Sequence, residues 1–489
     1  MKTHYIGGKW TSGTGSRFHS KNPATGEIVW EGNQAILPEI VQAIHHAKDA
    51  FENWSLLSWE KRQNYLKDFG KQVQQNSKKI SERISIETGK PLWESQTEVE
   101  TMLGKVGNTI QAFGERCTDN ATESNGIRTA TRYKPYGVFA VLSPFNLPGH
   151  LPGSHILPAL LSGNTIVFKP SEQTPGVAQM LVELWQAANL PQGVLNLIQG
   201  GRDTGALLLQ QQNLDGVLFT GSAFVGKNIA KTFSGTPGKI LALEMGGNNP
   251  LVVWSISDLS AAAYFTILSA YITSGQRCTC ARRLIVPDNK DGEAFIDCLT
   301  SMIQKIRVGP YTKTPEPFMG PVISLSAAQK LLNIQQGLIH SGAKEIVPMK
   351  LLWEHTPFLS PGFLDLTSLK NRPDIEYFGP LLQLIRVKDF DSAIVEANNT
   401  AFGLSSSLLS DDAELYQQFF SKVHSGILHW NRQTTVNSGT QPFGGLGDSG
   451  NLRPSGYFAV DYCVYPVASM ESSVLKMPQK ILPGIGHSP

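Results

Sequence analysis

Between residues 137 and 245, short apolar runs alternate with segments of helical period, and no other feature restricts the fold as much. The runs are VFAVLS (138–143), TIVFKP (165–170), VLNLIQ (194–199), GVLFTG (216–221) and ILALEM (240–245). Between them lie HILPALLSG, TPGVAQMLVELWQAANL, DTGALLLQQQ and VGKNIAKTFS, and Thr174-Pro175 offers an N-cap followed by proline at the first helical position. Five strands with helical crossovers predict an α/β fold with a doubly wound parallel sheet. Such sheets bind ligands at the carboxyl ends of their strands, so a site is expected in the turns after KP, QGG and FTG.

The flanking regions complete the outline. Residues 36–117 carry apolar positions at helical spacing, as in EIVQAIHHAKDAFENW and EKRQNYLKDFGKQVQ. A second strand–helix series runs from about 250 to 440 and includes PLVVW, ARRLIVP, LLQLIRV and SGILHW. The tail from about 455, GYFAVDYCVYPVASMES, reads as an extended strand without a partner in its own unit; it is either an edge strand or an oligomer contact. At 489 residues the chain has room for roughly three domain-sized units. A formal net charge of +2 without a long single-sign run leaves no basic stripe for nucleic acid or an anionic membrane. MKTHYIGGKW has no apolar signal-like core, and no apolar stretch is long enough to span a bilayer. Five irregularly spaced cysteines do not form a disulfide framework, so a cytoplasmic protein with reduced thiols is expected.

Two of those cysteines, Cys278 and Cys280, stand one residue apart in SGQRCTCARR. A structural zinc site needs further close ligand pairs; the chain offers no C-x₂₋₄-C, and His150 and His155, five apart, lie in a Pro/Gly-rich segment, so no metal is expected. Redox pairs use C-x-x-C, which this is not. A nucleophile with a bystander and a buried inert pair both stay open. Arg277, Arg282 and Arg283 could lower a thiol pKa or face solvent. FTGSAFVG (219–226) puts Gly221, Ser222, Ala223, Phe224, Val225 and Gly226 at a strand end and helix start, where backbone N–H groups meet phosphates. Lys169 and Glu172 of KPSE could hold the hydroxyls of an adenosine ribose or form a solvated turn.

SPFNLPG (143–149), KPSE (169–172), FTGS (219–222), EMGGNNP (244–250), GQRCTC (275–280), EYFGP (376–380) and PFGG (442–445) stand in an order and spacing that resembles the aldehyde dehydrogenase superfamily. The 34-residue interval from Glu244 to Cys278 is similar too, and the resemblance spans almost the whole chain. EMGGNNP, SGQRCTCARR and PFGGLGDSGNLRPSGYFAVDYCVYP look most like members that oxidise a dicarboxylate semialdehyde of arginine catabolism. The resemblance implies an α/β aldehyde dehydrogenase-like fold in three parts. These are a Rossmann-type NAD-binding domain (1–115 and 135–246), an α/β catalytic domain (247–446) and a small β oligomerisation element (116–134 and 455–489).

It also implies roles. Cys278 would attack the aldehyde carbon, Asn146 would donate to the oxyanion, and Glu244 would activate the hydrolytic water. NAD would lie on Lys169, Glu172 and the Gly221–Gly226 turn, with Glu376 and Phe378 at the nicotinamide end. Arg277, Arg432, Asn437, Ser438 and His150 are the candidates for a carboxylate-bearing semialdehyde, the last four drawn from or near the polar loop RQTTVNSGT and the helix after SPFNLPG. A homodimer or homotetramer is implied. His155 stands where many relatives carry lysine, so a proton relay assigned to that lysine does not carry over, and Gly447 stands where many carry lysine after PFGG-x. A dehydrogenase for succinate or glutamate semialdehyde is the near alternative. A coenzyme-A-acylating relative would not need Glu244, a cysteine hydrolase would need a histidine base, and a non-catalytic scaffold would be free to lose Asn146, Glu244 or Cys278.

Overall fold

The computed structural model describes residues 2–478 and 480–485. The five expected strands form one parallel array in the spatial order Leu195–Leu197, Thr165–Lys169, Val138–Leu142, Gly216–Gly221, Ile240–Met245. Val138–Leu142 and Thr165–Lys169 are buried along their whole length, which is why they read as unbroken apolar runs. The strand order reverses between Val138–Leu142 and Gly216–Gly221, and this opens a crevice at their carboxyl ends. SPFNLPG and FTGS leave the sheet on either side of that crevice. A hairpin, His4–Ile6 with Lys9–Thr11, extends the far edge antiparallel to Leu195–Leu197.

The helical region resolves into Leu37–Leu56, Trp59–Gln75, Ser77–Thr88 and Leu92–Arg116. The last is the longest helix described, and it runs beside the helix His150–Ser162 that follows SPFNLPG. Pro175–Ala187 starts with proline at its first position as its sequence predicts, but the Thr174 side chain makes no capping hydrogen bond.

A second sheet has the order Lys344–Val347, Gly362–Asp365, Leu381–Val387, Ala281–Pro287, Asn249–Val253, Ser405–Leu409, Ile427–Trp430. Only its first pair is antiparallel. Ser405–Leu409 (SSSLL) is a fully buried strand that its serines conceal in the sequence. The loop above satisfies two of the hydroxyls, and Ser406 Oγ pairs with Ser425 Oγ at 2.5 Å. Ser405 Oγ donates to the Thr434 carbonyl at 2.8 Å and Ser407 Oγ to the Arg432 carbonyl at 2.6 Å. These bonds anchor the base of RQTTVNSGT.

The tail strand does have a partner within the chain. Val464–Glu471 pairs antiparallel with Ile127–Pro135, and Asn120–Ser124 completes a three-stranded sheet. Among the described residues, no helix is long and apolar enough to cross a membrane.

Candidate active site

Two carboxylates on one face of Leu92–Arg116 organise the site. Glu98 forms a buried ion pair with Lys90 and accepts from the Gly149 and His150 amides at 2.8 and 3.1 Å. It therefore caps the start of His150–Ser162, where the helix dipole favours an anion. Lys90 Nζ also donates to the Asn146 carbonyl at 3.0 Å, so a single ion pair fixes the SPFNLPG turn. Asn146 is buried, and its side-chain Oδ1 has no partner among the described residues.

Glu94, one turn earlier, holds the cysteine loop. Thr273 Oγ1 donates to Glu94, and Arg277 pairs with the same carboxylate at 2.9 Å while its Nε reaches Thr273 Oγ1 at 2.7 Å. This clamp acts on an unusual backbone. Thr273, Ser274 and Gly275 are all left-handed, with φ of 54°, 53° and 70°. Such conformations cost about 1–3 kcal/mol at a non-glycine residue and are steeply disfavoured for β-branched threonine. Glycine is required at 275, because a Cβ there would lie 2.0 Å from the Gly379 carbonyl oxygen. Asn249 Nδ2 completes the restraint by donating to the carbonyls of Cys278 (2.6 Å) and Cys280 (2.9 Å).

The two cysteines part company here. Cys278 lines a cavity of about 400 Å³, whereas Cys280 is wholly buried with Sγ 3.8 Å from the Ile272 carbonyl oxygen. The neighbouring arginines neither face solvent nor serve mainly to acidify the thiol. Arg277 is taken by Glu94. Arg282 donates to the Gly275, Gly379 and Arg277 carbonyls, and Arg283 to those of Asn248, Glu396 and Ala397. Burial instead pushes the Cys278 thiol up to about 12, helped by Glu376 and Glu244 and opposed only in part by Arg282. Glu244 lines the same cavity from the end of its strand, accepting from the Ser455 amide at 3.2 Å, with Oε2 unpartnered. Burial holds its carboxyl well above the usual range.

The cofactor candidates surround the sheet crevice. Ser222 caps the helix Ala223–Phe233 by accepting from the Val225 amide at 3.4 Å, and the first turn, with Phe224 and Val225 exposed, carries no acidic residue. A bare Gly226 lets that helix approach the sheet, since a Cβ would lie 2.2 Å from Met245 Sδ. The turn after Gly221 thus fits a pyrophosphate. Lys169 Nζ donates to the Pro170 and Gly200 carbonyls, both at 2.7 Å, which leaves one of its three donors. Burial lowers it to about 8, with Glu172 opposing. Glu376 lies on the Gly246–Gly247 backbone and accepts from the Gly247 amide at 3.3 Å. Burial raises its carboxyl to about 7 against the pull of Arg282. Phe378 sits edge-on to Phe145, the neighbour of Asn146, with ring centroids 6.0 Å apart.

Of the substrate candidates, Arg277, His150, Asn437 and Ser438 line the cavity, the last two at its exposed rim. Arg432 does not. It is exposed, donates to the Asn431 carbonyl at 3.1 Å and leans toward the Phe265 ring. His150 is kept neutral by burial and by nearby Lys105, Arg277 and Lys90. His155 bridges Tyr462 (3.0 Å) and Thr220 (2.9 Å) in full burial, which lowers its pKa to about 3. Sequence reasoning missed Lys105, Asn108 and Ser154, which also line the cavity. Helical spacing from Glu94 and Glu98 is the one signal that could have found the first two.

A parallel sheet with a ligand crevice at its reversal point faces a thiol delivered by a second sheet. That arrangement defines a class of two-sheet α/β enzymes with cysteine at the junction. The chain belongs to the aldehyde dehydrogenase family, which its sequence matches over residues 10–466. It is 49% identical over 484 residues to N-succinylglutamate 5-semialdehyde dehydrogenase of Legionella pneumophila strain Corby, covering 99% of this chain and 98% of that one. The same enzyme of Paraburkholderia xenovorans is 47% identical, with 99% and 100% covered. Among solved structures, methylmalonate-semialdehyde dehydrogenase of Oceanimonas doudoroffii superposes with a TM-score of 0.92 at 26% identity, covering 97% of this chain and 99% of that one. A putative methylmalonate-semialdehyde dehydrogenase of Sinorhizobium meliloti 1021, solved with NAD, gives 0.91 at 26% identity, covering 97% and 98%.

The cavity geometry makes three predictions. Cys278→Ser should abolish aldehyde oxidation while Cys280→Ser keeps most of it, and the opposite order of sensitivity would reassign the nucleophile. In the cofactor-free protein, iodoacetamide should label Cys278 slowly at neutral pH and faster through the alkaline range, because only the thiolate reacts. Glu94→Gln should strand Arg277 and loosen the left-handed turn, lowering stability by about 3–5 kcal/mol and kcat by ~10-fold or more. Thermal unfolding and steady-state rates check this; unchanged values would mean that Asn249 alone holds the loop.

Proposed function

We propose that the protein oxidises N-succinyl-L-glutamate 5-semialdehyde to N-succinyl-L-glutamate with NAD, through a covalent intermediate on Cys278. One observation carries the reading: Cys278 and Glu244 share a cavity whose wall adds the polar side chains of Asn108, Ser154, Asn437 and Ser438 and the cation Lys105 to the paired charges of Glu94, Glu98 and Arg277, groups that a substrate carboxylate can meet. The relatives named for that substrate support the choice of semialdehyde. Another carboxylate-bearing semialdehyde, such as succinate or glutamate semialdehyde, is the alternative that the same wall favours.

In this reading Cys278 Sγ, after losing its proton, adds to the aldehyde carbon. The Asn146 side-chain amide and the Cys278 backbone N–H donate to the resulting oxyanion. NAD held in the crevice would supply the hydride acceptor, and loss of the carbon-bound hydrogen as hydride, with the C=O bond re-formed, would leave a thioester on Cys278. Glu244 then takes a proton from water as the water oxygen adds to the acyl carbon, the C–S bond breaks, and the thiol is restored. Its raised pKa makes the ionised carboxylate a stronger base. Lys169 and Glu172 hold the adenosine ribose, the Gly221–Gly226 turn takes the pyrophosphate, and Glu376 and Phe378 hold the nicotinamide ribose and ring.

The domain assignment belongs to the same proposal: 1–115 and 135–246 bind NAD, and 247–446 supply the nucleophile. The sheet of Asn120–Ser124, Ile127–Pro135 and Val464–Glu471 joins subunits into a homodimer or homotetramer, a role that its exposed Met470 suits. Five unpaired cysteines suit a cytoplasmic location.

A panel of aldehydes and both nicotinamide cofactors tests the reading. N-succinylglutamate semialdehyde should exceed propanal in kcat/KM by ~10²-fold or more, at about 1.4 kcal/mol per decade. NAD should be preferred over NADP, because Glu172 can accept from a ribose 2′-hydroxyl but repels a 2′-phosphate. Equal kcat/KM for propanal and the succinylated substrate would overturn the substrate assignment, and parity between cofactors the role of Glu172.

A further inference from the structure

The wall of Leu92–Arg116 that faces the cavity carries Glu94, Glu98, Thr101, Lys105 and Asn108, a single stripe at spacings of three and four residues. The charges on this stripe are matched except at one position. Glu94 is paired with Arg277 and Glu98 with Lys90. Lys105 has no carboxylate within ion-pair distance among the described residues, and the hydrogen bond it makes is to Ser154 Oγ at 2.6 Å. An ammonium group has three donors, so two remain for a ligand. The only other charged residue lining the cavity is Glu244, which burial holds toward its neutral form. Lys105 is thus the cavity's one cation without a counter-ion among the described residues, three helical turns from the clamp on the cysteine loop.

We infer that Lys105 selects the substrate: its ammonium group binds a carboxylate that the aldehyde carries away from the reacting carbon. The inference rests on the proposed oxidation of a carboxylate-bearing semialdehyde and names the residue that would confer it. A cation stripped of water and lacking a partner is costly, and a carboxylate that enters the cavity restores its counter-ion. A short aliphatic aldehyde leaves the cation unpaired, so the same group favours one substrate and gains nothing from the other. Burial lowers the Lys105 pKa to about 8, which puts its charge within reach of a pH titration. Around it stand Glu94 and Glu98 on its own helix, His150 and His155 on the adjoining helix, Glu244 on the sheet, and Arg277 and Cys278 on the cysteine loop.

The test compares wild type, Lys105→Met and Lys105→Arg on N-succinylglutamate semialdehyde, N-acetylglutamate semialdehyde and propanal. Lys105→Met should raise KM for the succinylated substrate by ~10-fold or more (about 1.4 kcal/mol per decade), with kcat little changed and propanal turnover intact. Lys105→Arg should recover most of the affinity. An equal loss on the acetylated substrate makes the glutamate α-carboxylate the partner; a loss confined to the succinylated one makes it the terminal succinyl carboxylate. In wild type, KM for the succinylated substrate should climb as pH rises through about 8. This climb should vanish in Lys105→Arg, with propanal as the control for titration of Cys278, Glu244 and the other facing groups. Parallel losses on the succinylated substrate and propanal, or no loss on either, would overturn the assignment of Lys105. A wild type with no preference for the succinylated substrate over propanal would instead overturn the substrate reading itself.

Discussion

Two buried carboxylates one helical turn apart, Glu94 and Glu98, tie together parts of the chain that are distant in sequence. Glu98 with Lys90 secures the turn that carries Asn146, at the end of a strand in the first sheet. Glu94 with Arg277 and Thr273 secures the loop that carries Cys278, ahead of a strand in the second. Because both anions sit on the same rigid helix, the two loops share one reference frame. Stripping such ions of water is expensive, and only close pairing with extra hydrogen bonds makes them tolerable. Glu98 has that support on both oxygens and Glu94 on Oε1, its Oε2 lacking a partner among the described residues. The strained Thr273-Ser274-Gly275 turn persists because this frame over-determines it.

The interior around the cysteine disfavours charge in the resting protein. Burial raises the Cys278 thiol and the Glu244 carboxyl and lowers His150 and His155. Each therefore rests nearer its neutral form. The cavity is a poor place to store a thiolate, and a thiolate formed there is the more nucleophilic for its raised proton affinity. His155 shows the same principle in a structural role. Neutral, it can bridge two hydroxyls, Tyr462 and Thr220, where a lysine would bring a charge.

Much of this was legible in the sequence where local chemistry and tertiary structure agree. The five strands of the first sheet are apolar because both faces are covered, and their ends are where the motifs lie. Ser405–Leu409 was not legible. Its serines suit a surface turn, and only the carbonyls of Arg432 and Thr434 and the Ser425 hydroxyl explain their burial. The hairpin His4–Thr11 did carry a signal, Gly7-Gly8 between two short apolar runs, with both glycines at positive φ. The arginines beside Cys278 misled for a physical reason. Adjacency in sequence says nothing of direction, and Arg282 and Arg283 turn toward backbone carbonyls. Lys105 was invisible for the converse reason, since a lysine on a polar helix face reads as solvated until a second helix and a loop close over it.

The account stands on covalent catalysis by Cys278 with hydrolysis driven by Glu244, and peptide mass spectrometry of the Glu244→Gln enzyme tests it most directly. Mixed with NAD and an aldehyde substrate, then quenched in acid, this variant should form one equivalent of reduced cofactor and accumulate an acyl group on the peptide containing Cys278, localised by fragmentation to that sulfur. Reduced cofactor formed with Cys278 unmodified, or an acyl group found on Cys280, would contradict it.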